Sequence, residues 1–250
     1  MSWSTKIFAY CERAGDPAFW AEPFNALSNV AFLVAAFAAA IQLARTDGCS
    51  RRLMEWLLVM LVFVIGVGSF LFHTYATRWA SVADTAPIGI FMIGYLAFAM
   101  RRYLGAPYWA VAAGLGVFLL AMKAAQGIPC QPGLLPITMA AGRPCFNGSL
   151  GYVPALAALV LIGVALVIRR HGAGWAVLGA GVVFALSLTL RTVDFEVCGV
   201  TSVMGRARGT HALWHIANAL LLYLLLRAAI RHGAGVRTTG ADRSTASQSP

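Results

Sequence analysis

Three histidines, one aspartate and one serine are the residues of this chain with the types and spacing for chemistry. Residues 68–84 read GSFLFHTYATRWASVAD. A hydrophobic segment carries Ser69 and His73, a short polar turn follows, and the next hydrophobic segment opens with Asp84. Alone, these three resemble a serine nucleophile with its base and acid. His211 and His215, far down the chain, change that reading. They stand at i and i+4, so they share a helix face and can bind one ion together. Ser69 and His73 have the same spacing. Three histidines can hold zinc and leave one coordination position for water. The zinc-protease pattern H-E-x-x-H is absent, because the sequence reads His211-Ala-Leu-Trp-His215. A general base must then come from another element, and Asp84 is the candidate. Ser69 becomes a donor to a developing oxyanion. Haem held between two histidines is the rival reading, but it needs neither a third histidine nor a nearby acid.

These groups lie in a chain built for lipid. It has 250 residues, 60% hydrophobic and 11% charged, with a mean hydropathy of +0.74. Soluble domains carry roughly 25% charged residues. An Asp at the centre of a membrane helix costs about 2.5–3.5 kcal/mol on insertion scales, so a polar group there calls for a function. Hydrophobic stretches fall at 23–44, 53–75, 83–100, 107–125, 150–168, 174–191 and 209–230. Each is close to the roughly 20 residues a helix needs to cross hydrocarbon. The third and fourth are short and are expected to tilt little or to sit inside the bundle. The expected fold is an all-α bundle of seven transmembrane helices spanning 22–232. A polar and aromatic lead-in occupies 1–21, and a Ser/Thr/Gly/Arg-rich tail, expected to be disordered, occupies 233–250. The lead-in has no basic region running into an apolar core and does not read as a cleavable signal peptide.

The net charge of +10 is spread in short clusters between apolar segments. That pattern fits the positive-inside rule better than a nucleic-acid-binding face. Eleven Lys and Arg fall in the odd-numbered loops and the tail, and eight on the other side over longer segments. The N-terminus is therefore expected outside and the C-terminus in the cytoplasm. Cys11, Cys130, Cys145 and Cys198 fall on the outer side and only Cys49 inside, which suits two disulfides in an oxidising compartment. Cys130–Cys145 and Cys11–Cys198 are one pairing, and other connectivities remain open. Short loops and an Ala/Gly/Arg-rich composition fit a bacterial inner membrane.

With this topology Glu22, Ser69, His73, Asp84, His211 and His215 all reach a similar depth in the outer leaflet. The first span adds a polar stripe of Glu22, Asn25, Ser28 and Asn29. It reads either as interhelical hydrogen bonding or, with Glu12 and Asp16, as oxygen ligands for a hard cation such as calcium. Asp194 and Glu196 are expected to pair with Arg191 or Arg206, and Gly66 and Gly68 to let helices approach closely.

The chain resembles the alkaline ceramidases, within the membrane-hydrolase superfamily that also includes the adiponectin receptors. The carrying motifs are Cys11-Glu12, Glu22-Pro-Phe-Asn25 with Ser28-Asn29, Gly68-Ser69-x-x-x-His73 with Asp84, and His211-Ala-Leu-Trp-His215. They span nearly the whole chain in family order. The resemblance implies a seven-helix fold with zinc on His73, His211 and His215, assistance from Ser69 and Asp84, and pairing of Cys11 with Cys198. It implies hydrolysis of a ceramide-like membrane lipid to a long-chain base and a fatty acid. The alternative is a lipid-sensing receptor or scaffold of the same fold with structural zinc. In the animal enzymes an Asp-Trp-Cys-Glu-x-Asn segment and the later Glu build a calcium site. Here the stretch reads Ala9-Tyr10-Cys11-Glu12-Arg13-Ala14. Glu12 and Glu22 survive, and Asp16 would have to compensate for the two alanines.

Overall fold

The computed structural model describes residues 2–128, 145–203 and 205–233. Eight α-helices follow in order: α1 Pro23–Ser28, α2 Val30–Ala44, α3 Leu53–Tyr75, α4 Arg78–Phe98, α5 Tyr108–Gln126, α6 Val153–Ile168, α7 Gly174–Thr192 and α8 His211–His232. The first two form one span through a turn at Asn29, whose side-chain amide donates to the carbonyls of Asn25 and Ala26. Among the described residues seven helices are long and apolar enough to cross a membrane. This is the architecture of a multi-pass integral membrane protein. The expected disordered tail lies outside the described residues, apart from Gly233.

Packing follows from small residues. Ala35, Ala36, Ala39, Ala180 and Ala229 are buried where helices meet, which lets backbones approach as in other membrane bundles. The central helix is α8, which packs against α2, α3 and α7. Helix α5 lies at the edge instead of inside, with only Val111 and Phe118 buried. Its other faces are apolar toward lipid, and hydropathy alone does not distinguish the two settings.

The α3–α4 connection sets the site. Ala76 closes α3 in the left-handed conformation (φ 49°), and Thr77 is already extended ahead of α4. Helix α4 therefore starts at Arg78, five residues before the expected 83. Asp84 stands about 9 Å along the helix, at 1.5 Å per residue, and not at its mouth. Arg78 and Trp79 were excluded from the span by their polarity, yet they form its first turn. A π-turn at Ala99–Tyr103 extends the same span, so it is not short. Gly68 is required here: a Cβ on it would lie 2.0 Å from the Ala83 carbonyl oxygen. That close approach sets Ser69 beside Asp84.

The lead-in crosses the same end of the bundle. Ile7 N–H donates to the Ala76 carbonyl (2.7 Å) and Arg78 N–H to the Thr5 carbonyl (3.0 Å). The Cys11–Cys198 disulfide ties it to the α7–α8 connection, which also holds a small hairpin of β1 Ser202–Val203 and β2 Arg206–Ala207. Cys145 is disulfide-bonded too, while the Cys130 half of the expected pairing lies outside the described residues.

Candidate metal and catalytic site

The C-terminal end of α3 and the N-terminal ends of α4 and α8 meet beneath the lead-in. There His73, His211 and His215 converge, each 0% exposed. One ring nitrogen from each lies within 4.8 Å of the others. They are the only such group of three His, Cys, Asp or Glu among the described residues. His73 Nε2 and both ring nitrogens of His211 are buried without a hydrogen-bond partner, and so is Asp84 Oδ1. Buried polar atoms are normally satisfied. Three imidazoles whose facing nitrogens are unpaired, or at His215 only weakly paired, fit a soft-to-borderline cation with nitrogen ligands, as zinc is. Ser69 Oγ lies 3.5 Å from His215 Nε2 and beside the Asp84 carboxyl. All five residues singled out by type and spacing are thus brought together.

Each histidine is oriented from behind. His73 Nδ1 contacts Glu22 Oε2 at 2.6 Å. His215 Nδ1 contacts Ser28 Oγ at 2.7 Å, and Ser28 in turn donates to the Asn25 carbonyl. Such partners fix the ring and the tautomer of a metal-binding histidine. His211 is held by stacking, with its ring 3.5 Å from Tyr10 and 4.9 Å from Trp214 between centroids. Burial pushes the Tyr10 phenol well above its ordinary pKa, so it remains a neutral stacking surface.

The polar stripe of the first span therefore serves the histidines and each other. Glu12, Asp16 and Glu22 are not gathered around a cation position; a guanidinium stands among these oxygens instead. Arg13, 1% exposed, pairs with Glu22 and donates to the carbonyls of Asp16 (3.0 Å), Ala18 (2.9 Å) and His73 (2.9 Å). Burial pushes the Glu22 carboxyl up, but His73, Asn25 and Arg13 outweigh it and hold the group below its ordinary value. Glu12 is engaged by Arg208 (2.6 Å) and by the backbone N–H groups of Phe24 and Asn25. The Asp16 carboxylate is on the surface and accepts from Ala18 N–H. In this arrangement Arg13 holds the Glu22 carboxylate and Arg208 that of Glu12.

Asp194 does not pair with Arg191 or Arg206. Its carboxylate accepts the backbone N–H groups of Cys11 (3.0 Å), Thr210 (2.8 Å) and His211 (2.9 Å). It therefore satisfies donors at the start of α8 and fixes the first histidine turn to the lead-in. Burial pushes this carboxyl up against the three donors. Gly209 (φ 65°) permits the approach, since a Cβ there would meet Asp194 Oδ1 at 2.1 Å. Sequence reasoning missed this role and that of Arg13. The available signal was two charged residues in segments that flank a helix start.

An apolar cavity opens one side chain away from the histidines. Phe32 and Trp214 line it and both touch the His215 ring. Comparison with protein-family models and with curated proteins gives no match for this chain.

Proposed function

We propose that the protein is a zinc-dependent amide hydrolase acting within the membrane on ceramide-like lipids, with His73, His211 and His215 as the metal ligands. The observation carrying this reading is the buried trio of histidines, with His73 Nε2 and both His211 nitrogens unsatisfied, set beside Asp84 and Ser69 and next to the Phe32 and Trp214 wall of an apolar cavity. Zinc held by His73, His211 and His215 would supply a Lewis acid for the amide carbonyl and a water whose pKa is lowered toward about 7. Asp84 takes a proton from the attacking water as the new C–O bond forms. The carbonyl electron pair moves to oxygen, and Ser69 donates a hydrogen bond to it. Asp84 then delivers its proton to the amide nitrogen as the C–N bond breaks, leaving a fatty acid and a long-chain amine. The cavity receives the acyl chain and excludes water from it. We place the site toward the outer leaflet of a bacterial inner membrane, from the charge asymmetry of the loops and the disulfide beside it. Lipid analysis of membranes incubated with wild-type protein and with Asp84→Ala tests the reading: N-acyl lipids are expected to fall, and free fatty acid to rise, with the wild type alone. Equal lipid profiles would overturn it.

A further inference from the structure

Arg191 closes α7 at the same end of the bundle and has no carboxylate within ion-pair distance among the described residues. Its guanidinium rests on three aromatic rings instead: Trp214 at 5.1 Å, Tyr152 at 5.5 Å and Tyr10 at 5.7 Å from the ring centroids. Of its five N–H donors, Nη1 reaches the Tyr10 hydroxyl at 3.3 Å, while Nε is buried with no partner. Ring stacking leaves the N–H donors of a largely desolvated guanidinium unsatisfied, and such a charge is normally paired.

The place of this cation is informative. Trp214 and Tyr10 are the two rings that sandwich His211. Trp214 and Tyr152 both line the apolar cavity. Arg191 therefore stands behind two rings of the cavity wall and beside the rings stacked on His211, without itself lining the cavity. Planar guanidinium donors match a carboxylate in bidentate fashion. The geometry points to Arg191 as an anion-recognition residue that binds the carboxylate of a single-chain lipid whose tail fills the cavity. Two sources share that chemistry: the fatty acid released by amide hydrolysis, and an acidic group carried by the substrate close to its amide, as in an N-acyl amino acid. The inference takes from the proposed function only that a lipid chain enters the cavity.

Binding to the purified full-length protein in detergent, with zinc added, tests it without requiring turnover. The probes are palmitate, N-palmitoylglycine and the neutral N-palmitoylethanolamine. At least one acid is expected to bind tenfold or more tightly than the neutral amide. Arg191→Gln is expected to bring that ratio close to one, with Arg191→Lys between the two, because lysine keeps the charge and loses the fork. Tighter binding of palmitate assigns the subsite to the released acid, and tighter binding of N-palmitoylglycine assigns it to the substrate. Equal affinity for all three probes in the wild type overturns the inference. So does a loss of equal size for acids and neutral amide in Arg191→Gln, which is what a purely structural arginine gives. A protein that discriminates the acids yet cleaves no amide refutes the hydrolase and leaves the anion subsite standing.

Discussion

Glu22 Oε2 lies 2.6 Å from His73 Nδ1, across 51 residues of sequence. The acid that precedes α1 thus fixes a ring at the end of α3, and Arg13 holds the acid in turn. Partners of this kind typically change metal affinity 10–100-fold when removed. Glu22→Gln is therefore expected to weaken zinc binding by that factor, measured by competition with a chelator of known affinity. Unchanged affinity would show that Glu22 serves only the lead-in.

Arg13 supplies the positive charge at the centre of the lead-in. Removing one partner of a buried pair costs about 3–5 kcal/mol, because the other charge stays behind. Arg13→Ala is expected to lower the thermal unfolding temperature sharply. Calcium added to the zinc-loaded wild type is expected to leave that temperature unchanged. A calcium-dependent rise would mean that Glu12, Asp16 and Glu22 can rearrange around the ion.

Gly68 and Gly89 give a paired test of the α3–α4 contact. A Cβ at Gly68 meets the Ala83 backbone at 2.0 Å, whereas one at Gly89 meets nothing within 4 Å. Gly68→Ala is expected to cost about 1–3 kcal/mol, the usual range for overpacking, and to lower activity by moving Ser69 away from Asp84. Gly89→Ala is expected to match the wild type in both thermal unfolding and turnover. Equal behaviour of the two variants would contradict the close packing.

The Cys11–Cys198 bond holds Tyr10 against His211 from one side of the site. Loss of a native disulfide commonly costs 2–5 kcal/mol. The Cys11→Ser/Cys198→Ser double variant is expected to unfold earlier and to release zinc faster to a chelator. Release at the wild-type rate would separate the lead-in from the metal site.

What was legible in the sequence follows from what periodicity and hydropathy record. The seven spans were visible because each is a continuous apolar run of the length a bilayer imposes. His211 and His215 were visible because i, i+4 spacing is a helix property. Asp84 was visible as a charge in an apolar run, but its depth was not, because Arg78 and Trp79 form a helical turn that hydropathy discards. The Glu22–His73 and Ser28–His215 contacts join residues on different helices, and no local pattern encodes such pairings. Arg13 read as a loop charge, since only the folded lead-in shows the carbonyls it bridges. The Asp194 carboxylate was assigned to the nearest arginines, whereas the structure gives it to backbone N–H groups that a sequence does not display.

The most direct test is fatty-acid release from labelled ceramide by zinc-loaded protein reconstituted in lipid vesicles, compared between wild type and Asp84→Ala with zinc content measured on the same samples. The predicted result is steady release by the wild type and a loss of about 10²–10⁴-fold in Asp84→Ala, the usual worth of a general acid–base group, at equal zinc content. Release at the same rate from both proteins, or from neither, would contradict the account.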